Sequence, residues 1–537
     1  MGTAATDLPG VTGKQEIAPL RFVTAASLFD GHDAAINIMR RLIQAQGAEV
    51  IHLGHNRSVD DIVRAAIQED ADGIAISSYQ GGHIEFFKYM IDRLNEFGAS
   101  HIKVFGGGGG TITPEEIRTL MDYGVERIYH PHDGMELGLE AMIADLIERT
   151  VAARQATGLK STGVASVDIA ATISAIEERV FDDGELNQLR KEWRMQAGRV
   201  PVIGITGTGG AGKSSVTDEI LNRFLTCFPD MRIAVLAVDP TRRRTGGALL
   251  GDRIRMNSLR SDRIYMRSIA TRRQHLATSE MLGDHILFLK ASGFDLVIVE
   301  TAGIGQSDSE IVDMVDFSVY VMTSEYGAAS QLEKIDMLDF ADLVVLNKYD
   351  KRGAEDALRD VRKQWKRNHV AFTVADEDVP VYPTIASQFN DPGVSWMFSE
   401  LCRRVAERVE LDAAKWTPDI DTSNRESRST AMIPGARIRY LAEIAEQGRG
   451  INNRADSQAE TASRAQHLYE SLRLLEDPEL PAELELYKSE ALTRGDDRSL
   501  QTLRQRYQEA ISDLSVDSLQ LLREWPERKA GVRSDKY

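Results

Sequence analysis

Short apolar runs alternate with amphipathic stretches along the first 150 residues of the chain. The runs have the length of buried strands, and the stretches between them repeat apolar residues at helical spacing. The predicted strands are residues 21–27, 49–54, 73–78, 102–107 and 126–130. This alternation predicts an α/β domain over residues 1–150, with a five-stranded parallel sheet covered by helices on both faces.

A second alternating segment begins with the apolar run at residue 200. Its predicted strands are residues 200–207, 232–239, 294–303, 317–323 and 342–348. The pattern predicts a second α/β domain over residues 200–415. Residues 151–199 and 416–537 have helical spacing and no strand pattern, so we expect one helical linker between the domains and another after them.

The composition narrows the class of protein. The 537 residues include 64 basic and 82 acidic side chains, a net charge of −18, which argues against nucleic acid or an anionic membrane as the main partner. No apolar run approaches the ~20 residues that a membrane-spanning helix needs, and the N-terminus lacks a secretory pattern. Cys227 and Cys402 cannot form a disulfide framework. We therefore expect a cytoplasmic protein.

The strongest motif is G-x-x-x-x-G-K-S at residues 207–214, between a predicted strand and a helical stretch. The glycines let backbone N–H groups surround phosphates, and the start of a helix adds a positive dipole. The lysine neutralises phosphate oxygens, and the serine hydroxyl binds Mg²⁺. The candidate phosphate contacts are Gly210, Ala211, Gly212, Lys213, Ser214 and Ser215, with Lys213 also predicted to be catalytic.

The sequence N-K-Y-D at residues 347–350 closes a predicted strand of the same domain and indicates GTP rather than ATP. A carboxylate at Asp350 can accept hydrogen bonds from the guanine N1–H and exocyclic amine, and Asn347 can bond the purine edge. The candidate base contacts are Asn347, Lys348, Tyr349 and Asp350. Residues 385–387 match a second base-contacting element of small GTPases poorly and are not part of the predicted site.

Acidic side chains follow two more strands of this domain, at the edge where a doubly wound sheet binds its ligand. Ser214 and Asp239 are predicted nearest to Mg²⁺, with Glu300 and Thr301 in its shell. Asp252 either reaches the metal or is a solvated loop acid. Gln306 is either close to the attacking water, as a catalytic group, or a polar switch residue.

Ten arginines lie between Arg242 and Arg273. A nucleic-acid patch is one interpretation, but aromatic residues are almost absent from this segment and the chain is acidic. Charges that face the triphosphate and a partner domain fit better, and Arg255 is the candidate for nucleotide contact.

A histidine follows the first predicted strand, in the sequence D-G-H-D-A-A at residues 30–35. A loop histidine at this edge of a flavodoxin-like sheet can ligate a metal, and Asp30 can accept a hydrogen bond from its other ring nitrogen. Alternatively, His32 is an ordinary exposed histidine. Ser77 and the glycines at 106–110 end the next strands and leave a slot for a flat nucleotide tail.

Three family resemblances sharpen these predictions. The segments GTGGAGKSS (207–215), VDPTRRRTGGALLGDRIRM (238–256), ETAGIGQSD (300–308) and NKYD resemble the metallochaperone GTPases that protect cobalamin enzymes. This resemblance implies a magnesium site formed by Ser214, Asp239, Asp252, Glu300 and Thr301.

The first domain resembles the D-x-H-x-x-G, S-x-L and G-G pattern of adenosylcobalamin mutases, although Ala35 replaces the glycine and Tyr79 the leucine. It implies that the axial cobalt ligand is His32. The residues implied to bind the cofactor are Asp30, Gly31, His32, Ser77, Gly106 and Gly107.

The order of these segments resembles the acyl-CoA mutases that are fused to their chaperone GTPase. It implies an α/β fold in which a flavodoxin-like cobalamin domain precedes a P-loop GTPase domain, with helical linkers between and after them. The implied activity is the adenosylcobalamin-dependent interconversion of isobutyryl-CoA and n-butyryl-CoA, with GTP hydrolysis gating cofactor loading and protection. We expect this chain to carry those two parts of a homodimer, without the mutase barrel that binds the acyl-CoA. The alternative is a cobalamin-sensing GTPase that regulates a partner without isomerase activity.

Overall fold

A computed structural model describes residues 18–154, 162–240, 247–271, 275–301, 310–326, 332–333, 335–427 and 440–533. The chain divides into two compact units, Met1–Met432 and Ile433–Tyr537. None of the described helices is long and apolar enough to cross a membrane.

The first domain is a parallel sheet with helices on both faces. Helices α1 and α6 pack on one face, and α2, α3 and α4 contact one another on the opposite face. The elements are β1 Arg21–Ser27, α1 Asp33–Ala45, β2 Glu49–Arg57, α2 Val59–Gln68, β3 Gly73–Ser77, α3 His83–Glu96, β4 Lys103–Gly107, α4 Pro114–Tyr123, β5 Arg127–Tyr129, α5 Pro131–Leu137 and α6 Leu139–Ala153.

Local sequence explains where these elements begin. All seven residues of β1 are buried, as expected for a central strand covered on both faces. The Ser58 side chain accepts a hydrogen bond from the Asp61 N–H at the start of α2, and Thr113 forms a capping box with Glu116 at the start of α4. Each of these helices therefore begins where the chain leaves a strand and returns over the sheet.

The second domain is a seven-stranded sheet in which every pairing is parallel, in the order β13-β12-β11-β6-β10-β7-β9. Two helices, α7 and α8, precede it and pack against α10. The elements are α7 Ala165–Glu177, α8 Asp183–Gln196, β6 Val202–Gly207, α9 Lys213–Cys227, β7 Ile233–Pro240, β8 Ala248–Leu250, β9 Ile264–Thr271, α10 His275–Ala291, β10 Leu296–Thr301, β11 Phe317–Thr323, α11 Met337–Phe340, β12 Leu343–Asn347, α12 Ala354–Asn368, β13 Val381–Pro383 and α13 Pro392–Val409.

The first domain's sheet has six strands, so the prediction of five is wrong. Its order is β5-β4-β3-β1-β2-β8, and β8 comes from the second domain. Glu49, Val50 and Ile51 of β2 pair in parallel with Ala248, Leu249 and Leu250. Three residues are too few for a recognisable period, and their partner strand lies about 200 residues away in sequence. The sequence pattern therefore could not reveal this strand.

A buried cluster of charged side chains joins the two domains. Arg21 contacts Glu49 at 2.7 Å and Glu177 at 3.1 Å. Burial opposes the charge of Arg21, but the carboxylates of Glu177, Glu49 and Glu69 raise its pKa above the usual value. The six members, all buried, are Arg21, Glu49 and Glu69 of the first domain, Glu177 of α7, and Arg253 and Arg267 of the second domain.

His285 of α10 lies fully buried close to this cluster, and burial, with a smaller contribution from Arg267, lowers its pKa from 6.5 to about 4. Between these values the unfolded chain binds a proton that the folded chain does not, so stability present above pH 6.5 is lost as the pH falls to about 4. At ~1.4 kcal/mol per pKa unit the loss is about 3 kcal/mol. We expect His285→Leu to lack this part of the pH dependence in urea unfolding. Equal slopes for both chains between these pH values would contradict the prediction.

Residues 440–533, the described part of the second compact unit, contain three α-helices, α14 Tyr440–Leu474, α15 Arg498–Ser512 and α16 Val516–Val532. Leu472 and Tyr507 are in its apolar core. Arg504 is almost fully buried and forms an ion pair with Asp477. The helical pattern predicted for this part of the chain agrees with the described residues.

Candidate functional site

The phosphate loop, residues 207–214, connects the buried strand β6 to the start of α9. Gly207 has a φ of +145°, and a Cβ on it would lie 1.9 Å from the Val321 carbonyl oxygen of β11. Gly212 has a φ of +91°, and its Cβ would lie 2.6 Å from Asn347 Nδ2. Only glycine fits at both positions, which keeps the loop closed around the N-terminus of α9. Gly210 and Ala211 lie between them.

The side chain of Lys213 lies along its own loop. Its Nζ donates to the carbonyl oxygens of Gly207 at 3.0 Å and Thr208 at 3.3 Å, and the residue is 8% exposed. These carbonyls hold the ammonium group against the loop that the sequence predicts to bind phosphate. Lys213 is therefore a buried cation at the start of a helix.

The predicted metal ligands lie at the carboxyl ends of neighbouring strands. Glu300 is the residue before the last of β10 and is 2% exposed. Its two carboxylate oxygens accept hydrogen bonds from Ser214 Oγ at 2.8 Å and Thr217 Oγ1 at 2.9 Å. Thr301 follows it and donates to Thr206 Oγ1 at 2.8 Å. Asp239 lies at the end of β7, which pairs with β10. Hydroxyl and carboxylate oxygens are the donors that Mg²⁺ prefers, so this set fits the ion.

On the opposite side of the phosphate loop lies Asn347, which is 3% exposed. Its Nδ2 donates to the Ala211 carbonyl oxygen at 2.8 Å, and its Oδ1 accepts from Thr384 Oγ1 at 3.2 Å and the Ala386 N–H at 3.1 Å. Lys348, with a φ of +57°, donates from Nζ to the Gly210 carbonyl oxygen at 2.7 Å. The N-K-x-D strand end therefore contacts the phosphate loop directly.

Sequence reasoning missed the base loop, residues 384–387, which the structure brings against Asn347. The sequence offered only a poor match at 385–387, but the position of this loop after β13 is decided by pairing of β12 with β13. Residues 384–387 could have been placed next to Asn347 if Val381–Pro383 had been recognised from the sequence as an edge strand that pairs with β12.

The other residues predicted for the nucleotide site differ in their burial and in their contacts with this site. Tyr349 donates its N–H to the Thr384 carbonyl oxygen at 3.0 Å, and burial raises the pKa of its phenol. Asp350 is exposed, and Ser215 is half-buried on α9. Arg255 is exposed on a short 3₁₀ helix that begins at Asp252. The side chain of Asp252 and the whole of Gln306 lie outside the described residues, so their predicted roles stay predictions.

A second candidate site lies at the carboxyl edge of the first domain's sheet. His32 is the residue before α1, and its side chain is 68% exposed. Its Nδ1 lies 2.9 Å from Asp30 Oδ1, which also accepts the His32 N–H at 2.9 Å. The other oxygen of Asp30 accepts the Tyr79 N–H at 2.7 Å. Burial opposes the ionisation of Asp30, but these hydrogen bonds lower its pKa below the usual value.

This arrangement could orient His32 toward a metal. With a carboxylate on Nδ1, Nε2 is the ring nitrogen that could act as a ligand, and the exposure of the ring leaves it accessible. The Tyr79 ring lies beside the imidazole, with 5.3 Å between the centroids. Gly31 is exposed, with nothing within 4 Å of an added Cβ.

Next to this pair lies a cavity of about 390 Å³, lined mostly by apolar side chains of α1, α5 and α6 and by the ends of β3 and β4. Ser77 lines it, and the buried Ser77 Oγ has no hydrogen-bond partner among the described residues. An apolar cavity with one hydroxyl that lacks a partner among the described residues fits the base of a cobalamin tail. Ala35 also lines the cavity without closing it.

Gly106 and Gly107 line the cavity as predicted, but the reason for glycine at 106 differs from the expected one. A Cβ on Gly106 would lie 2.4 Å from Phe87 and 2.6 Å from Ile128, on the opposite face of the sheet. This glycine therefore makes room for core packing. Sequence reasoning also missed the lining from Tyr129 and Met142, because β5 and α6 carry no ligand motif.

Comparisons with known proteins identify a family for each of the two domains. Residues 169–468 match the family described as "Methylmalonyl Co-A mutase-associated GTPase MeaB", more than half of the chain. The chain belongs to this GTPase family. Residues 20–129, which include β1 to β5, match the B12 binding domain. The predicted fold class, a cobalamin-binding α/β domain followed by a P-loop GTPase domain, is confirmed.

Longer relatives contain both parts. The chain is 49% identical over 529 residues to "Fused isobutyryl-CoA mutase" of Geobacillus kaustophilus, covering 96% of this chain and 47% of that protein. It is also 49% identical over 471 residues to the protein of the same name from Cupriavidus metallidurans, covering 87% and 43%. The predicted resemblance to mutases fused to a chaperone GTPase is thereby confirmed. The chain spans about half the length of the curated relatives it matches.

The GTPase part has shorter relatives as well. "GTPase ArgK" of Escherichia coli is 36% identical over 149 residues, which cover 28% of this chain and 44% of that protein. The GTPase segment is therefore similar both to the fused proteins and to separate GTPases.

Proposed function

We propose that the second domain binds GTP with Mg²⁺ and hydrolyses it. The observation that carries the proposal is the convergence of Lys213, Ser214 and Glu300 at the start of α9, with Asn347 on the other side of the same loop. Lys213 neutralises charge on the phosphates, and Asn347 binds the purine edge. Ser214, Asp239, Glu300 and Thr301 hold Mg²⁺, together with Asp252. Mg²⁺ supplies positive charge that stabilises the transferring phosphoryl group.

We propose that the first domain binds adenosylcobalamin through His32. The observation that supports this proposal is the Asp30–His32 pair beside a 390 Å³ apolar cavity. Asp30 fixes the imidazole tautomer, and Ser77 hydrogen-bonds the tail base inside the cavity. Gly31, Gly106 and Gly107 contact the cofactor through their backbone.

The whole protein is proposed to be a fused mutase that interconverts isobutyryl-CoA and n-butyryl-CoA. Adenosylcobalamin supplies the homolysis of its cobalt–carbon bond, and the protein supplies binding, orientation and a dry cavity. The described strands form two open sheets, so the acyl-CoA is proposed to bind on a mutase barrel outside these residues. GTP hydrolysis gates cofactor loading and protection. The protein is proposed to be a cytoplasmic homodimer, without nucleic-acid or membrane partners.

Replacement of the histidine tests the cobalamin proposal. We expect His32→Ala to weaken cobalamin binding by more than the about 10–100-fold that loss of a ligand's hydrogen-bond partner costs, because the metal ligand itself is lost. Isothermal calorimetry gives the affinity, and the absorption spectrum reports histidine ligation. Asp30→Asn should weaken binding less and leave the spectrum of a histidine ligand.

His101→Ala is a matched control, because His101 lies in the turn before β4, at the opposite edge of the sheet. A His32→Ala chain whose spectrum still shows histidine ligation would identify another ligand. Turnover of isobutyryl-CoA after addition of a separate barrel chain would exclude the sensor alternative.

A further inference from the structure

The segment that follows α13 returns to the base side of the nucleotide site. This return segment, residues 416–427, begins with Trp416 in the apolar core beneath α9 and α13. Further along, the Arg425 guanidinium lies 5.0 Å from the centre of the Trp396 ring. The segment ends at Ser427, which is buried at 6% exposure, whereas residues 423–426 are exposed.

Ser427 contacts a buried carboxylate that holds the base loop. Asp391 is fully buried, and its Oδ2 accepts hydrogen bonds from Ser427 Oγ at 2.9 Å, the Ile385 N–H at 3.1 Å and the Val394 N–H at 2.9 Å. Val394 belongs to the first turn of α13, so Asp391 also caps that helix. One oxygen atom thus joins the return segment, the base loop and α13.

The contact between Ser427 and Asp391 is tightly packed, with no space for a side chain at Gly393. A Cβ on Gly393 would lie 2.1 Å from Ser427 Oγ and 2.2 Å from the Pro383 carbonyl oxygen, at the end of β13. From the other direction, Arg223 of α9 donates to the Asp391 carbonyl oxygen at 3.2 Å. Asp391 therefore also contacts α9, the helix whose N-terminus follows the phosphate loop.

The base loop in turn orients the base-binding amide. Ile385 is held by Asp391, and the N–H of the next residue, Ala386, donates to Asn347 Oδ1. Displacement of Ile385 would therefore move the Ala386 N–H away from Asn347. This N–H is one of the three hydrogen-bond partners that the Asn347 side chain has among the described residues. Asn347 needs a fixed orientation because an amide offers a donor on one side and an acceptor on the other.

We propose that Ser427 and Asp391 are positioning residues for guanine recognition, so that the return segment is a functional part of the GTP site. The proposal rests on the proposed GTP binding and adds a residue from outside the predicted domain. Under this proposal, the affinity for guanine nucleotides depends on the packing of residues 416–427, the start of the predicted second linker, against Asp391.

The test uses Ser427→Ala in the full chain, because this change removes one hydroxyl and leaves the other ligands of Asp391 in place. We expect about tenfold weaker binding of Mg–GDP, the effect of one hydrogen bond to a carboxylate. Binding of Mg–pyrophosphate, measured by competition, should stay unchanged, since that probe contacts only the phosphate loop. In GTP hydrolysis KM should rise and kcat should stay constant. Asp391→Asn should weaken GDP in the same selective way.

Ser423→Ala is the matched control, because Ser423 lies in the same segment and is exposed. Unchanged GDP affinity in Ser427→Ala would overturn the proposal. An equal loss for GDP and pyrophosphate would also overturn it, because it would indicate general loosening of the domain. Failure of the unaltered chain to bind GDP would instead refute the proposed GTPase function.

Discussion

A Lys213→Ala chain is expected to hydrolyse GTP at most at about one hundredth to one thousandth of the normal rate. Lys213 is a buried ammonium group held by two carbonyl oxygens of the phosphate loop, at the helix start where phosphate charge must be neutralised. Removal of one preorganised charge of this kind typically costs 10²–10³-fold in kcat. Release of phosphate at saturating GTP measures the effect.

The control for this experiment is Lys363→Ala, which removes an exposed lysine of α12. The cobalamin spectrum of Lys213→Ala should match that of the unaltered chain, since Lys213 belongs to the second domain. Normal GTP hydrolysis in this variant would refute the assignment of the phosphate loop.

The largest expected loss of stability follows from Glu69→Ala. Glu69 is fully buried, and it accepts hydrogen bonds from Arg253 Nε at 2.7 Å and from Ser268 Oγ at 2.9 Å. The alanine would leave Arg253, 5% exposed, as a buried charge without its carboxylate. We expect the free energy of unfolding to fall by about 3–5 kcal/mol. Urea titration measures this loss, and amide hydrogen exchange in β9 should increase.

Asp262→Ala is the matched surface control. Asp262 pairs with Arg64 at 2.7 Å, but its side chain is 89% exposed. An exposed pair of this kind contributes about 0–1 kcal/mol. Equal losses in the two variants would show that the buried cluster between the domains has no special contribution.

The fold was predictable where local pattern decides it. Strands such as Arg21–Ser27 and Phe317–Thr323 have the bounds that the apolar runs predict, because buried parallel strands are apolar throughout. The prediction missed β8 and β13, which are short and depend on partners elsewhere in the chain. The sixth strand of the first sheet is the clearest case. The prediction also missed the eight-residue strand β9, because Arg267 and Ser268, which bond to Glu177 and Glu69, interrupt its apolar run.

The residues of the candidate sites also differ in whether the sequence alone could predict them. Lys213, Asn347 and His32 could be predicted because their neighbours in sequence form motifs with a chemical reason. Asp391 and Ser427 carry no motif, and their relation to Asn347 arises only when β12 pairs with β13 and the chain returns across α13. Tertiary contacts of this kind leave no local signal.

The parallel pairing of Ala248–Leu250 with β2 has a consequence for how the protein can be divided. A fragment cut before the second domain would expose the main-chain donors and acceptors of Glu49, Val50 and Ile51 to solvent. An exposed apolar edge strand of this type pairs with strands of other chains, so such a fragment should self-associate. Expression of the first domain alone therefore requires polar substitutions on the edge strand β2, or an added peptide that contains residues 248–250.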